Sequence, residues 1–456
     1  MSNFQKAQRI ASFLSVVSVA GCSLVVNPNE DELPRLTDVP DSGILEMDMG
    51  VPEDMNVSMD EGLVVDAMPD IDEGVPVDLG PCGAAACVIS ASNVGDDYWD
   101  TASTHDLSIR GGGVIRVNTD TCRLASIDGV VATQAGGPEV CVVRMRALTV
   151  ENSATLSVRG ARPLVVLASG DVVIDGAFDV SARMDEAGPG GGRGGLVALE
   201  ERDGVGPSPG MAGEHVDPYD DGGGGGGAFF GAGGHGGLGG EALGGNGGAA
   251  LGAPSLEPLH GGSGGGRGRG EVIDTTTNAG LGGAGAGAIQ ISSLTRITLN
   301  GRIFAAGGGG EGGKRVLGGD SNYGSGAGGG SGGGVLLEAP EVVFGTDAVV
   351  VLNGGGGGAA ATNGADGGNG SDGALTDTPS MGGVNEGTGA NGGDGAIGVN
   401  VDGQAGEDRD AFTNGAGGGG GAGALVIRNA AGTLPSIGAN VSPSAGTYVV
   451  LPMHTR

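Results

Sequence analysis

From residue 147 onward, apolar residues recur in pairs separated by one position: Leu148/Val150, Leu156/Val158, Leu164/Val166, Val172/Ile174 and Phe178/Val180. Four of these pairs begin at 148, 156, 164 and 172, eight residues apart, and the fifth follows after six. Alternation within a pair is the period of a β-strand, whose successive side chains point to opposite faces. Arg159-Gly160, Gly170-Asp171 and Asp175-Gly176 place turn-forming residues between the pairs. The eight-then-six step returns at Ile289/Ile291, Ile297/Leu299 and Ile303/Ala305. It recurs more loosely at Val335/Leu337, Val342/Phe344 and Val349/Val351, and in degraded form from Leu425/Ile427. Repeats too small to bury a face of their own must stack on one another. Three strands per repeat make about 24 residues, close to one coil of a parallel β-helix. The pattern therefore predicts an all-β fold with a repetitive parallel β-helix or solenoid-like body, and a β-sandwich of hairpins is the competing architecture.

Between the repeats lie glycine tracts at 188–287, 307–334, 354–401 and 415–424, too long for ordinary loops. In them Ala232, His235, Leu238 and Glu241 fall every third residue, as do Asn363, Asp366, Asn369 and Asp372, and Thr388, Asn391 and Asp394. A polyproline-II-type helix has three residues per turn, so each series would line one edge, with glycine elsewhere letting neighbouring helices approach. The alternative is a flexible linker. The body thus divides into a first β repeat region at 147–187, a glycine-rich insertion at 188–287, and further β repeats with glycine-rich insertions at 288–456.

The N-terminal end has a different pattern. Lys6 and Arg9 precede an apolar run from Ile10 to Ser18, then Val19-Ala20-Gly21-Cys22. Basic end, short apolar run and small residues describe an export signal over 1–21, and the run is too short to span a bilayer. The cysteine at the cut resembles the lipobox of bacterial lipoproteins, which implies lipidation (palmitate included) at Cys22. A plain secretory signal is the alternative. Residues 22–81 then read as the lipidated cysteine and a disordered acidic tether, rich in Asp, Glu and scattered Pro with Arg35 its one basic residue.

Residues 82–146 form a cysteine-bearing entry region. Cys82, Cys87, Cys122 and Cys141 suit disulfides in an exported chain, with three pairings open. The aromatic pair Tyr98-Trp99 is a plug over the end of a core or, alternatively, a sugar contact.

Composition narrows the partners. The chain carries 22 Lys and Arg against 54 Asp and Glu, a net charge of −32. That excludes nucleic acid, whose phosphates need clustered bases. It leaves the lipid bilayer, reached through the N-terminal lipid, with polysaccharide or other envelope components as further partners.

Ser331 to Pro340 followed by Asn353 and its glycine run, Arg162 to Asp171, and Leu256 to Ser263 resemble uncharacterised glycine-rich lipoproteins of myxobacteria and related bacteria. The likeness covers about 145 to 440. It implies an envelope location and no known activity, and Ser23 after Cys22, in place of the aspartate linked to inner-membrane retention, points to an outer-membrane lipoprotein on the surface or periplasmic face.

Candidate chemistry is sparse, and no catalytic residue or obligatory cofactor is predicted. Glu214, His215, Asp217, Asp220 and Asp221 could hold a hard cation such as calcium, or form a solvated loop. Gly367 to Asp372 matches the start of a calcium-binding β-roll repeat but departs at Ala374. The ranks Asn363, Asp366, Asn369 and Asp372 offer a flat repetitive face suited to glycan or ice. Asp171, Asp175 and Asp179 are the best acid/base trio if the body is instead a polysaccharide lyase or hydrolase on a β-helix, an idea resting on fold analogy. The expected role is structural, adhesive or glycan-binding.

Overall fold

The computed structural model describes residues 15–19, 22–26 and 89–454, apart from 100–102, 198–200, 218–219, 253–254, 271, 274–275, 316–322, 376–379, 410–413, 434–439 and 445–446. It divides into two units, Met1–Met59 and Asp60–Arg456. In the first, Ser15–Val19 pairs antiparallel with Cys22–Val26. The stretch expected to be a tether, from residue 27 onward, lies outside the described residues, as do Cys82 and Cys87.

The second unit is almost entirely β, and most of its strand pairs are parallel. One sheet runs Asp106–Ile109, Ala147–Val150, Val172–Ile174, Arg296–Leu299, Glu341–Phe344. A second runs Val114–Asn118, Thr155–Arg159, Ala177–Asp179, Arg302–Phe304, Val349–Val351, Asn440–Ser442. The third starts with Val130–Ala132 antiparallel to Val140–Met145. It continues in parallel through Leu164–Ala168, Ala288–Ser293, Gly334–Glu338, Ala424–Asn429 and Tyr448–Pro452.

The chain visits the three sheets in turn, so equivalent positions of successive repeats fall opposite one another. Leu164, Ile289, Val335 and Leu425 form one column. Leu148, Val172, Ile297 and Val342 form another. Leu156, Phe178, Ile303 and Val350 form a third. All belong to one buried aliphatic cluster, which explains the low aromatic content: stacked Val, Ile and Leu fill the narrow interior.

In the third repeat the column holds Val350, flanked inward by Ala348 and Leu352, whereas Val351 packs with Phe304 and Ala306 in a separate cluster. The Val349/Val351 pair read from the sequence is therefore one residue out of register. The cause is local: the turn at 345–348 separates this strand from Glu341–Phe344. A one-residue shift exchanges the two faces of a strand.

A second cluster covers the outer face of the third sheet, where Val165, Leu167, Leu336 and Val426 meet Ala91, Val94, Leu256 and Leu259. Tyr98 and Trp99 pack against this cluster, so the aromatic pair covers part of a sheet face. Polar groups pin the cover. Asn93 Nδ2 donates to Leu256 O and to Gln290 Oε1, both at 2.9 Å. Gln290 and Ser292 donate to the buried Glu338 carboxylate at 2.8 and 2.7 Å, as does Ser92. Burial pushes the Glu338 carboxyl up, against the opposing pull of Ser92, Ser292 and Arg428.

The glycine insertions all arise at one corner. Each leaves after a strand of the second sheet and returns before a strand of the third, spanning 180–287, 305–333 and 352–423. In an earlier repeat the same connection is made by residues 160–163 alone.

Across the described residues of the insertions, backbone hydrogen bonds step by three. Gly224 and Gly227 N–H donate to Gly326 and Gly329 O, each at 2.9 Å. Gly223 and Gly226 donate in another direction, to Gly237 and Gly234 O. The carbonyls of Asp221, Gly224 and Gly227 accept from Gly415, Gly418 and Gly421. The run 323–334 is likewise bonded to the runs 221–229, 260–270, 278–288, 305–315, 352–362 and 414–424, so neighbours surround it.

Glycine is required here for space. A Cβ on Gly417 would lie 1.8 Å from Ala327 O, one on Gly226 1.9 Å from Gly419 O, and one on Gly328 1.9 Å from Gly225 O. None of the three has a positive φ.

Cys122 and Cys141, both buried, form a disulfide with Cα atoms 5.2 Å apart. It joins the 120s hairpin to the third sheet.

Gly417→Ala should destabilise the fold by about 3 kcal/mol or more through overpacking. Gly364→Ala, where an added Cβ meets nothing within 4 Å, should be neutral or slightly stabilising. Thermal unfolding of both variants checks this. Replacing both Cys122 and Cys141 with Ser should cost about 3 kcal/mol, read by denaturant titration.

Candidate functional site

The acidic loop forms a hairpin joining two glycine runs. His215–Asp217 pairs antiparallel with Asp220–Asp221, with an irregularity between His215 and Asp217. Asp221 is fully buried, and its Oδ1 lies 2.6 Å from His215 Nδ1. Burial pushes its carboxyl up, opposed by His215, Arg269 and Arg267. Asp220 Oδ2 accepts the Glu241 N–H at 3.3 Å, Glu214 is exposed, and the Asp217 side chain lies outside the described residues. Among the described residues, no group of three or more His, Cys, Asp and Glu side chains is placed to hold a metal ion.

The hairpin's neighbours are cations. Arg202, Arg267 and Arg269 come from two adjacent glycine runs that are joined where Arg267 N–H donates to Arg202 O at 2.9 Å. Arg267 is fully buried and donates through Nη1 to Val197 O at 2.9 Å. Burial, reinforced by the like charges of Arg269 and Arg202, pushes its pKa down to about 10. Arg202 and Arg269 line a pocket of about 460 Å³ with Asp203, Glu214 and His215. These arginines were missed in the sequence. The available signal was that Arg193, Arg202, Arg267 and Arg269 are the basic residues of 188–287, two of them one glycine apart.

The rank at 363–372 occupies an edge of the glycine array. Asp366 Oδ1 accepts the Arg315 N–H and Asn369 Oδ1 the Gly312 N–H, both at 2.9 Å. Asp372 Oδ1 accepts from Gly309 at 3.0 Å and from Met184 at 2.7 Å. Asn363 is exposed beside the turn that joins two runs. These side-chain oxygens stand where a further run would present its carbonyls. The same device recurs at Asp402 and Asp408, which accept from Ala232 and Leu238, and at Asp394, which accepts from Gly382.

The three aspartates of the first repeat each have a separate task. Asp171 accepts from Thr295 Oγ1 at 2.5 Å and Asp175 from Asn300 Nδ2 at 2.7 Å. Asp179 is buried beside Arg159 and Arg183. Asp175 also lines a pocket of about 360 Å³ with Asp347, Asn300 and Arg302.

Asp372→Ala leaves two backbone N–H groups without their acceptor and should cost about 1–3 kcal/mol. Asp372→Asn keeps an oxygen there and should recover most of that loss. Unfolding midpoints of the two variants check it, since a residue serving only a ligand would leave both unchanged. No protein-family model matches the chain, and neither a curated protein nor a solved structure is significantly similar to it.

Proposed function

We propose that this chain is an exported, lipid-anchored cell-envelope protein with a structural, adhesive or glycan-binding role. Its body is read as a three-sheet parallel β-solenoid carrying a bundle of polyproline-II-type glycine helices. The three-residue step of the inter-run hydrogen bonds carries this reading, because three residues per turn is the period of that helix. A bundle cross-linked by backbone hydrogen bonds in several directions would suit display and contact. The lipobox-like Val19 to Cys22 and the acidic stretch after it would supply an anchor and a spacer, and Ser23, in place of the aspartate linked to inner-membrane retention, favours an outer-membrane location.

One observation favours a second reading, a polysaccharide-active enzyme. Asp175 and Asp347 share a pocket with Arg302, and paired carboxylates are what acid/base work on a glycosidic bond requires.

Three measurements separate these readings. Cys22→Ser should abolish incorporation of radiolabelled palmitate and move the protein out of the membrane fraction. Protease shaving of intact cells, with an intracellular control, should release the body if it is surface-displayed. Cleavage of a defined polysaccharide by the full chain, lost in Asp175→Asn, would replace the structural reading with the enzymatic one.

A further inference from the structure

We propose that Arg202, Arg269 and His215 form a binding site for one oxyanion group, a sulfate, phosphate or carboxylate, in the pocket beside the 215–221 hairpin. The inference does not depend on the glycan-binding reading above. It begins from the charge of the surroundings. In a chain of net charge −32, three guanidiniums are gathered in one place. Arg267 feels Arg269 and Arg202 as like charges, and Arg269 feels Arg202. Asp221 is a carboxylate that offsets Arg267 and Arg269. That carboxylate is buried and already lies against His215.

Among the described residues Arg202 and Arg269 make no ion pair, and the Nε of each is buried without an acceptor. Asp203 and Glu214 also line the pocket. Asp203 Oδ1 instead accepts the Ala212 N–H at 2.7 Å, and Glu214 is exposed. Two forked donors are therefore left unmatched at a cavity wall, which is the arrangement that receives a planar or tetrahedral oxyanion.

The backbone holds these donors in place before any ligand arrives. Arg202 O accepts from Arg267, and Arg269 O accepts from both Ser325 N–H and Ser325 Oγ, at 2.9, 2.9 and 3.0 Å. His215 is held by Asp221, so its ring is already oriented. Donors fixed on a packed scaffold lose little freedom on binding. The acidic residues of the sequence suggested a cation at this hairpin, whereas the arginines beside it suit an anion in the pocket.

The test is titration of the full chain, in detergent, with inorganic sulfate, inorganic phosphate and galacturonate in separate calorimetric runs. Saturable binding of at least one is expected. Preference for galacturonate would mark a sugar-borne carboxylate, and preference for sulfate or phosphate a tetrahedral group. Replacing both arginines, Arg202→Gln with Arg269→Gln, should weaken binding at least about tenfold, as the loss of charge-assisted bonds requires. The Lys pair should retain part of it. Should the Gln variant fail to fold, the imidazole resonances of His215 in the unaltered chain give the readout, and they should shift on addition of the bound anion. Absence of saturable binding for all three anions, unchanged affinity in a folded Gln variant, or an unmoved His215 signal would overturn the proposal.

Discussion

A β-carbon is the group that the interior of the glycine mass has no room for. Adjacent runs approach until each glycine Cα faces a carbonyl of its neighbour, and an added Cβ would fall about 2 Å from that oxygen at Gly224, Gly357 and Gly420 alike. Close approach lets every run bond its neighbours in several directions. It also removes side chains as a source of stability. Ordering a residue costs roughly 1–2 kcal/mol, and a hydrogen bond returns on the order of 1 kcal/mol net. The array therefore leans on dispersion between close-packed backbones and on its attachment to the aliphatic β body. That attachment is direct: Gly287 N–H donates to Val180 O, Gly333 to Ala305 O, and Ala424 to Gly333 O. Each insertion thus starts and ends on the stacked columns that fix its position.

The same constraint orders the polar residues. An array of backbone donors and acceptors ends in unpaired groups at its rim, and unpaired amides are costly. Asp366, Asn369, Asp372, Asp394, Asp402 and Asp408 meet that need with single side-chain oxygens. Edge completion thereby accounts for these aspartates of the glycine tracts without a ligand. Arginines are rare in these tracts, and their concentration beside His215 is the departure that edge completion does not explain.

Much of the β body was legible in advance because its signal is local. The steps at 164, 172 and 178 and at 289, 297 and 303 fall in register, since alternation and turn residues act within a few positions. Val349/Val351 failed because a turn of altered length shifts the faces without changing composition. The period of three in the glycine tracts was readable, but the partners of each run were not, because pure glycine carries no information about which neighbour it meets. The pairing of Cys122 with Cys141 and the meeting of Arg202 with Arg269 depend on such long-range placement. Asn369 and Asp372 looked like a binding face, for a series of outward carbonyl-bearing side chains reads the same whether it faces a ligand or the next run.

Amide hydrogen exchange across the glycine tracts, followed by NMR, tests the central claim most directly. Buried, hydrogen-bonded runs predict that the amides of Gly224, Gly227, Gly326, Gly329, Gly355, Gly358, Gly418 and Gly421 exchange as slowly as those of the sheet strands Leu164–Ala168 and Gly334–Glu338. Exchange of these glycines at the rate of an unstructured chain, with the strands still protected, would contradict the account.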